Sequence, residues 1–274
     1  MSVETQQPTE LPPYRAVLVV DVKDFSGRKS RFHEKITRDI PLIMENAFAR
    51  CGHADLWGRG FGDTTGDGYF RILDPIYLPY LLNPFLGALQ DELVEQNSMA
   101  PNDYGNLRMR VSLSVGPVTD SGAGLLGDGN GAHRIEAHRI LDSHPVRDIL
   151  DRSADVTRVA AIVSPRVYED AVLSGYAAEE AGEYVEVETE VKTFQGRAYL
   201  RVPKPSGRLL REGFVTNKPG GEEAEESAAN RASRLDSAPS LEIHGSARNQ
   251  TNVGVSNGGL HIGDSYSGGP DDDR

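Results

Sequence analysis

Cysteine is nearly missing from this chain: Cys51 stands alone. An internal disulfide is therefore excluded, and the single thiol fits a small buried apolar residue in a reducing cytoplasm. Long apolar runs are missing too, and none approaches the ~20 residues that a membrane-spanning helix needs. The opening residues, MSVETQQPTELPPYR, lack the charged-then-apolar layout of a secretory signal. Basic charge is scarce: 29 Lys and Arg face 41 Asp and Glu, for a net charge of -12. A nonspecific nucleic-acid binder neutralises phosphates with clustered Lys and Arg, so that class is excluded. A small phosphate ligand held by a few local cations is not. The expectation is a cytoplasmic protein with neither nucleic acid nor membrane as a partner.

Residues 1–13 read as a flexible leader ending in Pro12-Pro13, and residues 14–203 as one globular domain. RAVLVVDV (15–22) is short, continuous and valine-rich, the pattern of a buried strand. RFHEKITRDIPLIMENAFARCG (31–52) sets Ile36, Ile40, Ile43, Met44, Ala47 and Phe48 near helical spacing, with Pro41 predicting a kink or interruption and Gly52 a stop. Residues 54–73 read as a hairpin, with ADLWGRGF and GYFRIL flanking its turn. PIYLPYLLNPFLGALQDELVEQNS is a helix opening with prolines, and LRMRVSLSVGPV (107–118) alternates like a strand covered on at least one face. AHRIEAHRILDSHPVRDIL is a helix bent or broken at Pro145. VAAIVSPRVYEDAVL is strand then helix, capped by Ser164 and Pro165, while EYVEVETEV and GRAYLRVP form a late hairpin. The order β-α-β-β-α-β-α-β-α-β-β implies a mixed α/β sandwich, not an all-parallel doubly wound sheet. Beyond Pro203 the chain turns to charge, Gly, Ser and Ala, with too little apolar surface to offset chain entropy. Residues 204–245 are thus expected to be a linker and 246–274 a Gly/Asn-rich tail.

GDTTGDGYF (62–70) puts two aspartates four apart, with glycines beside both. Asp21 ends the first strand and Asp67 lies at the hairpin tip, so the two can be neighbours in one sheet. Close carboxylates repel and call for a compensating cation. Hard divalent ions take oxygen ligands and usually keep waters and substrate phosphates. Two such ions can clamp the attacking and leaving oxygens of a phosphoryl transfer. Each aspartate alone also suits a plainer role, Asp21 as a cap and Asp67 as a turn former. The glycine run GAGLLGDGNG (122–131) lacks a Gly-Lys-Ser/Thr ending, so it is no Walker A loop; it reads as a mobile loop over the site.

The combination resembles the class III nucleotidyl cyclases. DVKDFS (21–26) resembles their first metal motif and TGDGYF (65–70) their second, 46 residues apart from Asp21 to Asp67. LRMRVSLSVGPV is similar to the basic-apolar strand of that family. DGNGAHRIEAHR (128–139) falls where the family carries a substrate-contacting Asp, a catalytic Asn and a catalytic Arg, and EVKTFQGRAYLRVP looks like the closing strands with a triphosphate-contacting Lys. The likeness spans about 15–203. RILDSHPVRDIL and VKTFQGRAYLRVP further resemble a cyclase-like group of actinomycetes often tied to defence or effector systems.

The resemblance implies a ferredoxin-like cyclase fold, an α+β sandwich with a mixed, mostly antiparallel sheet flanked by helices. It implies that Asp21, Val22 and Asp67 hold two divalent cations, Mg2+ or Mn2+, and that the backbone after Asp21 lies under the phosphates. Lys192 would meet the terminal phosphates and Arg139 the charge developing at the α-phosphoryl group. The substrate is then a nucleoside triphosphate, the product a 3',5'-cyclic nucleotide, and the working unit a head-to-tail homodimer. Two departures stand out. Ile135 occupies the position of the catalytic Asn, with His133, Arg134 and His138 as the nearby polar groups. Asp63 and Asp128 occupy the base-reading positions, where carboxylates only accept hydrogen bonds and leave the base open. A fold that binds nucleotide without turnover is the alternative. In the tail, NVGVSNGGL and HIGDSYSGG form an imperfect repeat that resembles amyloid-signalling motifs of the RHIM type, implying an effector partner with a like motif.

Overall fold

The computed structural model describes residues 8–100, 104–192 and 194–214, together with the backbone of 255–256 and 259–260. The chain divides into two units, Met1–Pro219 and Gly220–Arg274. In the second, Val255–Ser256 pairs antiparallel with Gly259–Leu260; the rest of the tail repeat, and all but the first residues of the expected linker, lie outside the described residues.

The first unit runs β1 (Tyr14–Val22), α1 (His33–Arg50), α2 (Ala54–Gly58), β2 (Phe61–Thr64), β3 (Gly68–Leu73), α3 (Leu78–Leu82), α4 (Phe85–Met99), β4 (Met109–Pro117), α5 (Ala132–Leu141) and α6 (His144–Arg152). It continues through β5 (Val159–Val163), α7 (Pro165–Val167), a π-helical turn (Tyr168–Leu173), β6 (Val185–Val191), β7 (Phe194–Arg201) and α8 (Leu209–Glu212). Seven strands form one sheet in the order β2-β3-β1-β4-β5-β7-β6. Only β4 and β5 run parallel; the other neighbours are antiparallel. The expected mixed, mostly antiparallel α/β architecture is what the chain adopts.

Strand alternation sorts the core into two faces. Ala16, Leu18, Val20 and Val22 of β1 join Met109, Val111, Leu113 and Val115 of β4 under α1 and α4. Val17 and Val19 point the other way, with Phe70, Ile72, Ala137 and Leu141. Strand β4 is covered on both faces: Ser112 and Ser114 are fully buried and lie against α5, where Ser112 Oγ donates to the Ala137 carbonyl at 2.7 Å. Gly116 lets His133 sit on the strand, because a Cβ there would fall 2.0 Å from the His133 ring. Small side chains on one phase of β4 thus admit a helix at close range.

Several expectations are corrected. ADLWG is helix α2, not strand, and the hairpin comprises only β2 and β3. The proline-led helix is two helices, α3 and α4, separated at Asn83-Pro84. Helix α1 continues through Pro41 without interruption. The helix expected to be bent or broken at Pro145 is broken: α5 ends at Leu141 and α6 starts at His144, with Pro145 in its first turn, where a residue with no amide hydrogen to lose fits. Residues 204–214, assigned to the linker on composition, pack onto the domain: Leu209 is buried and Thr157 Oγ1 donates to the Lys204 carbonyl at 2.5 Å. Among the described residues no helix is long and apolar enough to cross a membrane.

The glycines around Asp67 have separate structural reasons. Gly66 turns with φ +96, in the left-handed region. Gly68 sits so close to β1 that an added Cβ would lie 2.3 Å from the Val20 carbonyl oxygen. Because that neighbour is backbone within a ladder, Gly68→Ala is expected to cost about 1–3 kcal/mol of stability, the range for overpacking a tight site. Urea unfolding of the variant checks this; an unchanged midpoint would mean the strands separate freely there.

Candidate active site

Register brings the acidic pair together. Asp21 lies opposite Gly68 on β3 and opposite Arg110 on β4. The Val22 amide donates to the Asp67 carbonyl at 2.9 Å, so Asp67 is held at the end of β1 by its backbone while its side chain stays exposed. Asp21 shares the odd phase of Val17 and Val19, and Arg110 the phase of Ser112 and Ser114, so both side chains emerge on the α5 face. There they form a two-pronged pair: Arg110 Nε donates to Asp21 Oδ1 at 2.8 Å, and its Nη2 donates to Oδ2.

A cavity of about 390 Å3 opens beside this pair. It is lined by residues 22–26, Asp67 and Arg110, and by Arg147, Leu150 and Asp151 from α6. Lys23 pairs with Asp24 at 2.5 Å and with Asp151 at 2.9 Å, tying the loop after β1 to α6. Helix α6 is fastened from below by the buried Arg108, which donates to the carbonyls of Leu150 at 2.5 Å and Thr157 at 2.9 Å. Burial pushes the Asp21 carboxyl up to about 6; Arg110 opposes the shift, and the negative charges of Asp67 and Asp142 add to it.

This donor set fits a hard divalent cation. Asp67, whose charge adds to the upward push on the Asp21 carboxyl, lines a polar cavity, and an added positive charge there would relieve that repulsion. Among the described residues no cluster of three His, Cys, Asp or Glu could enclose an ion.

The other predicted residues gather elsewhere. Arg139 Nη1 donates to the Val191 carbonyl at 3.3 Å, which sets Arg139 against the β6–β7 turn. Lys192 occupies that turn, exposed, with φ 55. Arg139 shares a second cavity, about 380 Å3, with Ala132, His133, Ile135, Glu136 and Phe194. The two cavities have no residue in common. Ile135 is 56% exposed within this second group. Of His133, Arg134 and His138, only His133 lines the cavity, where its Nδ1 lies 3.1 Å from Glu136 Oε2. Ser114 donates to the same carboxylate oxygen. Arg134 instead stacks over the Phe70 ring at 4.0 Å, and burial pushes the half-buried His138 below the usual imidazole range.

Asp63 and Asp128 line neither cavity. Asp63 is exposed on β2 and accepts the Thr64 amide at 2.7 Å. Asp128 closes its own glycine loop, accepting the Ser121 amide at 2.8 Å, the Ser121 hydroxyl at 2.6 Å and the Leu125 amide at 2.8 Å. That loop does not cover Asp21: Gly122 and Gly124 lie with Arg15 and Asp120 beside the start of β1, at the opposite end of the strand.

Arg110, Arg147, Lys23 and Asp151 were not singled out from sequence. A signal existed for Arg110: residues 108 and 110 put two basic side chains on the polar phase of a strand otherwise filled by Ser and Gly.

No protein-family model matches the sequence, and neither does any curated protein. Solved structures similar to this chain include an adenylate/guanylate cyclase/hydrolase from Silicibacter pomeroyi, with 16% identity, a TM-score of 0.47, and coverage of 70% of this chain and 98% of that one. The guanylyl cyclase Cya2 matches with 13% identity and a TM-score of 0.48, over 76% of this chain and 95% of its own. The adenylyl cyclase CyaB from P. aeruginosa matches with 14% identity and a TM-score of 0.39, over 76% and 97%.

Proposed function

We propose that this chain is a metal-dependent nucleotidyl cyclase, converting a nucleoside triphosphate to a 3',5'-cyclic nucleotide and pyrophosphate in bacterial signalling or defence. The observation that carries the reading is the meeting of Asp21, at the end of β1, with Asp67, in the β2–β3 turn, beside a polar cavity that also holds cationic side chains. Asp21, the Val22 carbonyl and Asp67 would hold two Mg2+ or Mn2+ ions. When bound, such ions activate the ribose 3'-hydroxyl and neutralise the α-phosphate. The chain's own residues do the rest. The loop 23–26, pinned by Lys23 to Asp151, forms the floor for the phosphates. Lys192 attracts the terminal phosphates, and Arg139 stabilises charge at the α-phosphoryl group. Asp63 and Asp128 would meet the donor groups of the base; the bonds Asp128 already accepts leave it only its remaining lone pairs for that task.

Separate cavities for Asp67 and Arg139 support the homodimer. One copy would present the cation-binding half and its partner the Arg139 and Lys192 half, so that each complete site draws on two chains. A second reading, a cyclase fold that binds nucleotide without turnover, is favoured by Ile135, whose apolar side chain stands beside Arg139 where a hydrogen-bonding amide is expected. An effector partner recruited through the tail is compatible with either.

Incubation with each of ATP, GTP, CTP and UTP plus Mn2+, with products read by mass spectrometry, separates the readings. At least one cyclic product is expected. Nucleotide binding with no product from any of the four would replace the enzyme by the binding protein.

A further inference from the structure

Asp67 is exposed, and the turn that carries it is thinly packed. Gly66 stands in the left-handed region, and among the described residues no atom beyond its chain neighbours lies within 4 Å of the place its Cβ would take. Packing therefore does not aim the Asp67 side chain; hydrogen bonds do. Inside the turn, the Gly66 amide donates to Thr64 Oγ1 at 3.0 Å and the Thr65 amide to the Gly68 carbonyl at 2.9 Å. Two further bonds come from outside it. The Val22 amide holds the Asp67 carbonyl, and the Thr37 hydroxyl of α1 donates to the Gly66 carbonyl at 2.6 Å.

Those two carbonyls flank the Asp67 Cα. One belongs to the peptide plane before it and the other to the plane after it. Together the two bonds set both of its soft backbone dihedrals, and with them the direction of its Cβ. Glycine lets the Gly66–Asp67 plane rotate at little cost, and the Thr37 bond opposes that rotation. The hydroxyl has a rigid carrier: Thr37 stands on α1 between Ile36 and Ile40, both fully buried. A helical threonine hydroxyl often turns back to the carbonyl one turn earlier in its own helix. Here it reaches a carbonyl 29 residues away. We propose that Thr37 is a positioning residue: its hydroxyl holds the Gly66–Asp67 peptide plane and so keeps the Asp67 carboxylate aimed at the end of β1, which lets a helix that lines no part of the cavity set the site's affinity for a divalent cation. The latch rests on the cyclase reading for its cation, but its effect on Asp67 needs no cation.

The probe is Mn2+ alone, titrated into the full chain and followed by the electron paramagnetic resonance of the free ion. Thr37→Val keeps the shape and removes the hydroxyl; it is expected to weaken Mn2+ binding about fivefold, the scale of one hydrogen bond's net worth. Thr37→Ser keeps the hydroxyl and is expected to stay within about twofold of the wild type, since the bond survives. Should Thr37→Val fold poorly, Thr37→Ala takes its place, with the same loss expected. Wild-type affinity in the variant lacking the hydroxyl, or an equal loss in Thr37→Ser, overturns the latch. A second measurement needs no metal. Nitrogen-15 relaxation of the Asp67 amide is expected to show motion of larger amplitude in Thr37→Val than in the wild type or in Thr37→Ser. Equal rigidity in all three overturns the latch. The underlying reading fails separately: a wild type that holds no Mn2+ removes the cation from the site, and the relaxation measurement still decides whether Thr37 aims Asp67.

Discussion

Asp67→Ala is expected to abolish cyclic-nucleotide formation while leaving the domain folded. The side chain is exposed, and the bond that fixes this residue to β1 runs through its carbonyl, which alanine keeps. Exposed substitutions of this kind usually change stability by no more than about 0.5 kcal/mol. Here the balance tips toward a slight gain, because removing Asp67 relieves the like-charge push on Asp21. Losing a preorganised electrostatic group costs on the order of 10²–10³ in rate, and the cation-holding role proposed for Asp67 belongs at or above that range. Cyclic product and thermal midpoint, measured on one preparation, check both halves of the expectation. A variant that still turns over at the wild-type rate would remove Asp67 from the chemistry.

The second large effect comes from mixing two inactive proteins. Asp67→Ala damages one cavity and Arg139→Ala the other, and the two cavities share no residue. If each working site is assembled from two copies, either variant alone is expected to fall by ~10²–10³. Co-refolded at equal amounts, half of the dimers carry one variant of each kind, and one of their two sites is intact. Activity should then return to about a quarter of the wild-type level, as closed two-fold symmetry dictates. Arg139 also supports the β6–β7 turn through the Val191 carbonyl, so the circular-dichroism spectrum of Arg139→Ala is the control for folding. No recovery from two well-folded variants would place both cavities in the service of a single chain.

Much of the fold is legible in local pattern. Valine-rich RAVLVVDV, the alternating EYVEVETEV and the apolar spacing of residues 36–48 each specify one element, and each forms. The approach of Asp21 to Asp67 also follows from order alone, since a strand end and a hairpin tip in one antiparallel sheet meet at its rim. What local pattern lacks is register. Whether Asp21 faces Arg110 or its neighbour depends on the pairing of β1 with β4, and a slip of one residue would turn every side chain to the other face. The same limit hid the double coverage of β4, whose Ser112, Ser114 and Gly116 look solvent-facing in sequence but are small because α5 lies on them. Helix α2 looks like strand in sequence because Trp57 has strand propensity and five residues hold too little periodicity to outvote it. Residues 204–214 read as linker because few apolar side chains, Leu209 and Phe214, dock the segment, helped by the buried Ser206, and composition averages over them.

Strand β6 forms one outer edge of the sheet, where backbone groups stand open to pairing with any extended chain. Its inward side chains, Val187 and Thr189, are buried, while Glu186, Glu188 and Glu190 are exposed. An incoming strand would bring its own backbone alongside this row of carboxylates and give up their hydration to do so. The folded domain thus discourages templating along this border.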